Sequence, residues 1–433
     1  MKTHYLIVAA LFAATMTFAQ TTAPKPEAKP AAKRTAEQVH RSALVIDTHE
    51  DTPQRYVDEH FDLADPLNGG QLNLDAIHKG NLGASFMSIW VEPTIYKGHY
   101  ARRTLELIDA SRTQAARHPG EIKFAVSAAD IEAAHREHKY AMLMGIEGGH
   151  SIEDSLALLR MYYVLGVRYM TLTWSNSNGW ADSSGDDKDT TVPHTKEGLS
   201  EFGKDVVYEM NRLGMMVDIS HVSDKTFYRT LVITRAPVIA SHSAARALCD
   251  APRNMTDDML RAVTINGGVV MVNFYSGFIS QDYRNAQQAQ KAEVNAAVDA
   301  LKAKFKADGK EIVWADIDKL ERQYADRIPR PPLSALIDNI DHIAKVAGID
   351  HVGLGSDFDG VSGQLPQGMD SAADLPKITA ALMERGYSAA DCEKILGGNF
   401  MRVFREVEQA AKQLQAEDRP KITEKQPFDK PQK

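Results

Sequence analysis

The chain has 433 residues, 43% of them hydrophobic and 25% charged, with a formal net charge of −8. That is ordinary globular composition, and the length suits either several domains or one large α/β barrel. No long basic stretch occurs, which excludes nucleic acid as an expected partner.

In chain order, Lys2 opens a short positive region and Tyr5 to Phe18 (YLIVAALFAATMTF) is mostly apolar. Thr17-Phe18-Ala19 then sets small residues at −3 and −1 of a cleavage site. Residues 1–19 are therefore expected to be a secretory signal peptide, and the protein to be exported, periplasmic or secreted, with no stable membrane anchor. An uncleaved anchor is the alternative, for which the apolar run is short. Residues 20–36, rich in Ala, Pro, Lys and Thr, are expected to form a flexible linker. Export implies an oxidising space, yet Cys249 and Cys392 are the only two cysteines. They make no disulfide framework, and no bridge is expected between them.

Eight apolar runs then suit parallel strands buried on both faces. They span 43–48 (ALVIDT), 84–90 (ASFMSIW), 140–146 (YAMLMGI), 167–173 (VRYMTLT), 215–220 (MMVDIS), 237–241 (PVIAS), 268–275 (GVVMVNFY) and 351–356 (HVGLGS). Segments of helical period separate most of them, among them 101–116, 152–164, 198–213 and 333–347. Gly166, Gly214 and Gly348 stand where a helix should stop before the next run. Eight alternations predict a TIM-type (β/α)₈ barrel over residues 37–410, with an open doubly wound sheet as the alternative. Residues 281–330 break the rhythm after the seventh run with a polar, Ala-rich helical stretch ending at Pro329, Pro331 and Pro332. This predicts a helical insertion on the rim, either a lid or a solvated excursion. Residues 411–433 are expected to be a frayed polar tail.

Five candidate metal ligands come where these runs give out: His49 and Asp51 after the first, Glu147 after the third, His221 after the fifth and His242 after the sixth. In a barrel the site gathers at the C-terminal ends of the strands. Residues two apart on a strand point to the same side, so His49 and Asp51 can reach one ion. Three imidazoles and two carboxylates suit zinc, and a carboxylate has two oxygens with which to bridge two ions. Such a pair would activate a shared water and polarise a carbonyl without a Ser or Cys nucleophile. A lone His at a strand end is usually a capping or core residue; five coincidences on separate strand ends outweigh that reading. His60 and His150 lie beyond the strand ends and are weaker candidates. Asp357, after the eighth run, is a candidate proton acceptor or amine holder, and Asp359 before Gly360 reads as a turn residue. Arg253 could hold a carboxylate through its two-pronged guanidinium, or pair with Asp257 or Asp258. Tyr275 could donate to substrate or be packed core.

The motifs carry a resemblance. IDTHEDTP at 46–53, GIEGGHS at 145–151, DISHVSD at 218–224, ASHSAAR at 240–246, RNMTDD at 253–258, VNFYSGF at 272–278, GLGSDFDG at 353–360 and GGNFMRVF at 397–404 occur in the order found in the membrane dipeptidase (renal dipeptidase) family of zinc peptidases. The resemblance spans about residues 37–410. It implies an amidohydrolase-like (β/α)₈ barrel with two zinc ions. His49, Asp51 and a bridging Glu147 would hold one ion, and Glu147, His221 and His242 the other. Arg253 would bind the dipeptide carboxylate, and Asp357 would meet the free amine and the bridging water. The implied substrates are dipeptides, some with a D-residue second, and in some members β-lactams; the family often forms homodimers.

One position departs. Where the family's fourth strand commonly ends in Leu-Thr-His, this chain has Leu-Thr-Trp, with Trp174 in the His place. An indole donates one hydrogen bond and carries no charge, so an oxyanion donor is missing unless Asn176 or Asn178 supplies it. Two rival readings follow. One is another binuclear hydrolase on the same barrel, acting on lactones, β-lactams or esters; the other is a binding protein whose turnover Trp174 impairs.

Overall fold

The computed structural model describes residues 34–417. The expected signal peptide, most of the expected linker and residues 418–433 lie outside the described residues. The first helix begins at Ala36, one residue inside that expected linker, with Thr35 as its cap.

Nine strands form one parallel sheet: β1 (Val45–Glu50), β2 (Leu82–Trp90), β3 (Ile122–Phe124), β4 (Tyr140–Glu147), β5 (Val167–Thr171), β6 (Met216–Asp218), β7 (Ile239–Ser243), β8 (Val269–Val272) and β9 (Val352–Leu354). Their order is β2-β1-β9-β8-β7-β6-β5-β4-β3, and β2 also pairs with β4. That last pairing closes eight of them into a barrel, as the eight apolar runs predict. β3 was not expected. It pairs with β4 only at Tyr140 to Met142, and β5 takes over the same edge from Met144. Three residues are too few for a periodic signal.

Every residue of β1, β4, β5, β6, β7, β8 and β9 is buried. This is why the runs are continuous rather than alternating. Several strands end before their apolar run does; the seventh run reaches Tyr275 while β8 stops at Val272. The leftover residues leave the ladder and turn over the barrel mouth. Helices between strands stop on chemical cues. The helix Glu201–Leu213, for example, starts at Ser200, whose side chain accepts from the Gly203 N–H, and ends at Gly214 in the left-handed region (φ 85°).

The inward side chains Ile46, Phe86, Leu143, Tyr169, Met216, Ile239 and Met271 form one cluster with Phe400 and Phe404 of the last helix. Phe86 meets Phe400 edge-on at 5.4 Å. Each ring buried in this way contributes about 1.5–3 kcal/mol. The last helix runs Asn399–Glu417 with Ala411 and Leu414 buried. The polar tail expected from 411 thus remains helical and packed through its first seven residues, because its apolar positions keep helical spacing.

The stretch after β8 forms the helices Gln281–Ala307 and Trp314–Ala325, which pack on one another. Trp314 meets Trp90 at the end of β2, with ring centroids 4.8 Å apart. Cys249 and Cys392 are both buried and free. Among the described residues no helix is long and apolar enough to cross a membrane.

Candidate metal centre

Two strands carry a bulge where they bear an imidazole. On β1, Asp47 pairs with Ser85 and Glu50 with Met87, three residues against two. On β7, Ala240 pairs with Val270 and Ser243 with Val272, again three against two. The extra residue re-aims the local side chains, and His49 and His242 fall within these two steps. His221 and Asp357 follow β6 and β9 in left-handed backbone, with φ 64° and 66°. Non-glycine residues held there are strained, and such strain gathers at functional sites.

All five expected ligands converge around Glu147. Its Oε1 lies 2.7 Å from His221 Nε2 and 3.3 Å from His242 Nε2. Its Oε2 lies 3.4 Å from His49 Nε2, which is itself 3.6 Å from Asp51 Oδ2. The His221 and His242 Nε2 atoms are 3.0 Å apart. Ligands about 2.0–2.1 Å from a tetrahedral zinc lie roughly 3.3–3.4 Å from each other, close to these spacings. Each oxygen of Glu147 therefore serves a different set of partners. Two trios bring ligand atoms within 4.8 Å of one another: His49, Glu147 and His242, and His49, Asp51 and Asp357.

The groups behind the imidazoles set their tautomers. Tyr169 O–H donates to the Thr48 carbonyl at 3.1 Å, so its oxygen accepts from His49 Nδ1 at 2.9 Å. Ser241 O–H donates to Asp218 Oδ2 at 2.6 Å and accepts from His242 Nδ1 at 2.8 Å. In both rings Nδ1 carries a proton and Nε2 is turned toward Glu147. His242 keeps an Nε2 lone pair, while at His49 burial works to lower the imidazole but Tyr169, Glu147 and Asp51 outweigh it and hold the ring well above its ordinary value. His49 Nε2 and Asp51 Oδ1 are buried and make no hydrogen bond among the described residues. Such atoms are costly without a partner. A Cβ on Gly360 would overlap Asp51 Oδ2 and Asp357 Oδ1, so only glycine leaves this hollow open. Orphaned buried atoms, imidazole nitrogens facing inward and a hollow between carboxylates fit a cation centre.

The electrostatics push the acids apart. Burial lifts Asp357 to about 7, and the Asp51 charge adds to it. Burial also raises Asp51. Burial works to raise Glu147 too, but His49, His221 and His242 outweigh it and hold the carboxyl well below its usual range. Burial, then the neighbouring His49 and Arg253, keep His242 neutral by lowering it well below its ordinary value. A cation among these groups would favour the deprotonated form of each.

The remaining expected residues divide. Asp357 joins the centre, accepting from Asn273 Nδ2 at 2.8 Å. Asp359 is a support, accepting from Thr52 Oγ1 and the Gln71 N–H, both at 2.7 Å. Arg253 pairs with neither Asp257 nor Asp258, which bind His342 and Arg261. It donates instead to Ser243 Oγ at 2.8 Å and the His242 carbonyl at 2.6 Å, behind the metal-facing ring. Tyr275 and Trp174 line the cavity over the centre. Asn178 does not supply a donor there: its side chain accepts from the Trp180 and Ala181 N–H groups and donates to the Leu172 carbonyl. Asn176 donates to the adjacent Ser177 carbonyl, and neither Asn lines the cavity. His150 is tied to the Val91 carbonyl at 2.8 Å, and His60 is exposed. Sequence reasoning missed Tyr169, Asp218, Ser241 and Asn273; the available signal was a charged Asp218 inside a buried run.

The cavity has a volume of about 360 Å³, in the range of small-molecule sites. Asp51, Glu147, His221 and Asp357 form its floor, and both insertion helices contribute to its wall.

Comparisons with other proteins agree with this geometry. Residues 33–418 match the model of the membrane dipeptidase family, Peptidase family M19. A Mus musculus protein named dipeptidase 3 is 36% identical over 344 residues, 78% of this chain and 58% of that protein. Its Homo sapiens counterpart is 34% identical over 391 residues, 88% of this chain and 69% of that protein. The chain thus spans well under the full length of these relatives. A crystal structure of a Pseudomonas aeruginosa protein described as the probable dipeptidase PvdM superposes with a TM-score of 0.73 at 27% identity, covering 87% of this chain and 98% of that one. With the family model matched from before the first helix to the end of the last, the chain belongs to the membrane dipeptidase family of metallopeptidases.

Proposed function

We propose that the protein is an exported dipeptidase that holds two zinc ions and hydrolyses the amide bond of dipeptides, including those with a D-residue at the C-terminal position. The observation that carries this reading is the division of Glu147, with one oxygen toward His221 and His242 and the other toward His49. His49, Asp51 and Glu147 would hold one ion, and Glu147, His221 and His242 the other. When bound, such a pair lowers the pKa of a water and polarises a carbonyl oxygen. The chain's own residues do the rest. Asp357, poised by Asn273 beside Asp51, takes up and passes on a proton. Arg253, whose buried Nε makes no hydrogen bond among the described residues, would turn from Ser243 and the His242 carbonyl to meet the substrate carboxylate. The buried floor excludes bulk water from the scissile bond.

A panel of L,L- and L,D-dipeptides, N-acetylated dipeptides, lactones and esters, assayed on zinc-loaded and chelated protein, tests this. Hydrolysis of free dipeptides that chelation abolishes and zinc restores is expected. Activity that survives chelation overturns the reading. The second reading, a lactone or ester hydrolase, draws on Arg253 lying behind His242 and not among the cavity-lining residues. Equal rates on acetylated and free dipeptides would favour it.

A further inference from the structure

The cavity above the centre reaches well past its floor. Its outer wall includes Trp314, Glu321 and Tyr324 from the second insertion helix and Gln287 and Lys291 from the first. Three other insertion acids are engaged, Asp318 with Arg322 and Ser362, Asp316 with the Val313 N–H and Glu293 with Arg327, and Asp282, Asp299, Asp308, Glu311 and Asp326 are exposed. Glu321 makes neither a hydrogen bond nor an ion pair among the described residues, and unlike the exposed acids it is half-buried and lines the cavity.

We propose that Glu321 determines specificity by receiving a basic side chain, lysine or arginine, of the bound dipeptide. This rests on the dipeptidase reading above. A carboxylate with free oxygens in a partly dry wall gains a charge-assisted bond when a cation arrives. Trp314 in the same wall can add cation–π attraction, whereas one face of Tyr324 is already covered by Arg327. Burial, with the Asp318 charge adding, lifts the Glu321 carboxyl to about 7, while Lys302 works the other way. An incoming ammonium or guanidinium would ionise it fully. Lys291 is the opposing charge on the wall; it is exposed, so its ammonium can turn to water. Tyr275, Glu321 and Asp357 line the same cavity, so wall and floor face one space.

The test compares zinc-loaded wild type, Glu321→Gln and Glu321→Lys on Lys-Ala against norleucine-Ala and on Ala-Lys against Ala-norleucine. For one of the two positions, the lysine-to-norleucine ratio of kcat/KM should fall about tenfold in Glu321→Gln. It should fall further in Glu321→Lys. Ratios that are the same in all three proteins overturn the proposal. If wild type cleaves no dipeptide, the dipeptidase reading fails on its own. Calorimetric binding of argininamide against citrullinamide then decides the subsite: a preference lost in Glu321→Gln supports it, and no preference in wild type removes it.

Discussion

His49 and His242 stack face to face, with ring centroids 3.7 Å apart and planes 29° from parallel. Each sits where its strand gains one residue on its neighbour, and the two irregularities bring rings from β1 and β7 together beneath Glu147. Two imidazoles this close repel if both are protonated. The pair is stable when at least one ring is neutral, as lone pairs shared with cations would keep them.

Glu147→Gln keeps the shape of the side chain but removes its charge and one acceptor oxygen. Zinc content measured by plasma mass spectrometry should drop from two per chain to one or fewer. Dipeptide hydrolysis should fall at least about 10³-fold, since the lost ion supplies both water activation and carbonyl polarisation. Two tightly held ions in the variant would contradict the bridging role.

Ser241→Ala leaves every metal-facing atom in place and removes the hydroxyl between Asp218 and His242 Nδ1. The ring then loses the acceptor that fixes its tautomer. Loss of such a support typically costs 10–100-fold in metal affinity. Competition with a chromophoric chelator should show a shift of that size for one ion, while kcat at saturating zinc changes far less. An unchanged chelator midpoint would mean that Ser241 only fills space.

Trp174→His restores the side chain that the resembling family carries at this place. Trp174 leans on Trp90 at 4.8 Å and stands 6.4 Å from the His221 ring. A histidine here could donate to the developing oxyanion, and such donors are worth about 10²–10³ in rate. We expect kcat for small dipeptides to rise about tenfold, the lost contact with Trp90 taking back part of that gain. A kcat equal to or below wild type would show that this pocket does not lack a donor.

His40 links the first helix to the rest of the barrel. Its Nε2–H donates to the Gly80 carbonyl at 2.8 Å, and its Nδ1 accepts from Thr379 at 2.7 Å. Burial lowers its pKa from 6.5, with the Gly80 bond working the other way. The unfolded chain therefore binds a proton first as pH falls through 6.5, and stability declines below that pH while staying flat above it. Urea midpoints at about pH 7.5 and pH 5.5 should separate less in His40→Gln than in wild type. Equal separations would remove His40 from the acid response.

Much of this was legible in the chain because each ligand follows a run too apolar to be anything but buried strand. His221 after MMVDIS and His242 after PVIAS are read directly from that pattern. The bulges were not legible. Simple alternation sets His49 with Asp47 and Asp51, and nothing local announces the extra residue that turns the ring inward. Tyr169, Ser241 and Asn273 read as ordinary strand residues, since the bonds that give them roles reach 120 positions for Tyr169, 84 for Asn273 and 23 for Ser241. Arg253 was placed by motif, but its bonds to Ser243 and the His242 carbonyl were not legible. The insertion's helices were evident from composition; its docking through Trp314 on Trp90 is a long-range contact with no sequence trace.

The last helix gives the site a direction. Phe400 and Phe404 are fused with the inward side chains of the strands, so the barrel is stoppered at the end away from the centre. If the substrate is the dipeptide proposed above, both released amino acids would leave by the doorway through which it came. Traffic in and out would then share one passage flanked by the insertion helices.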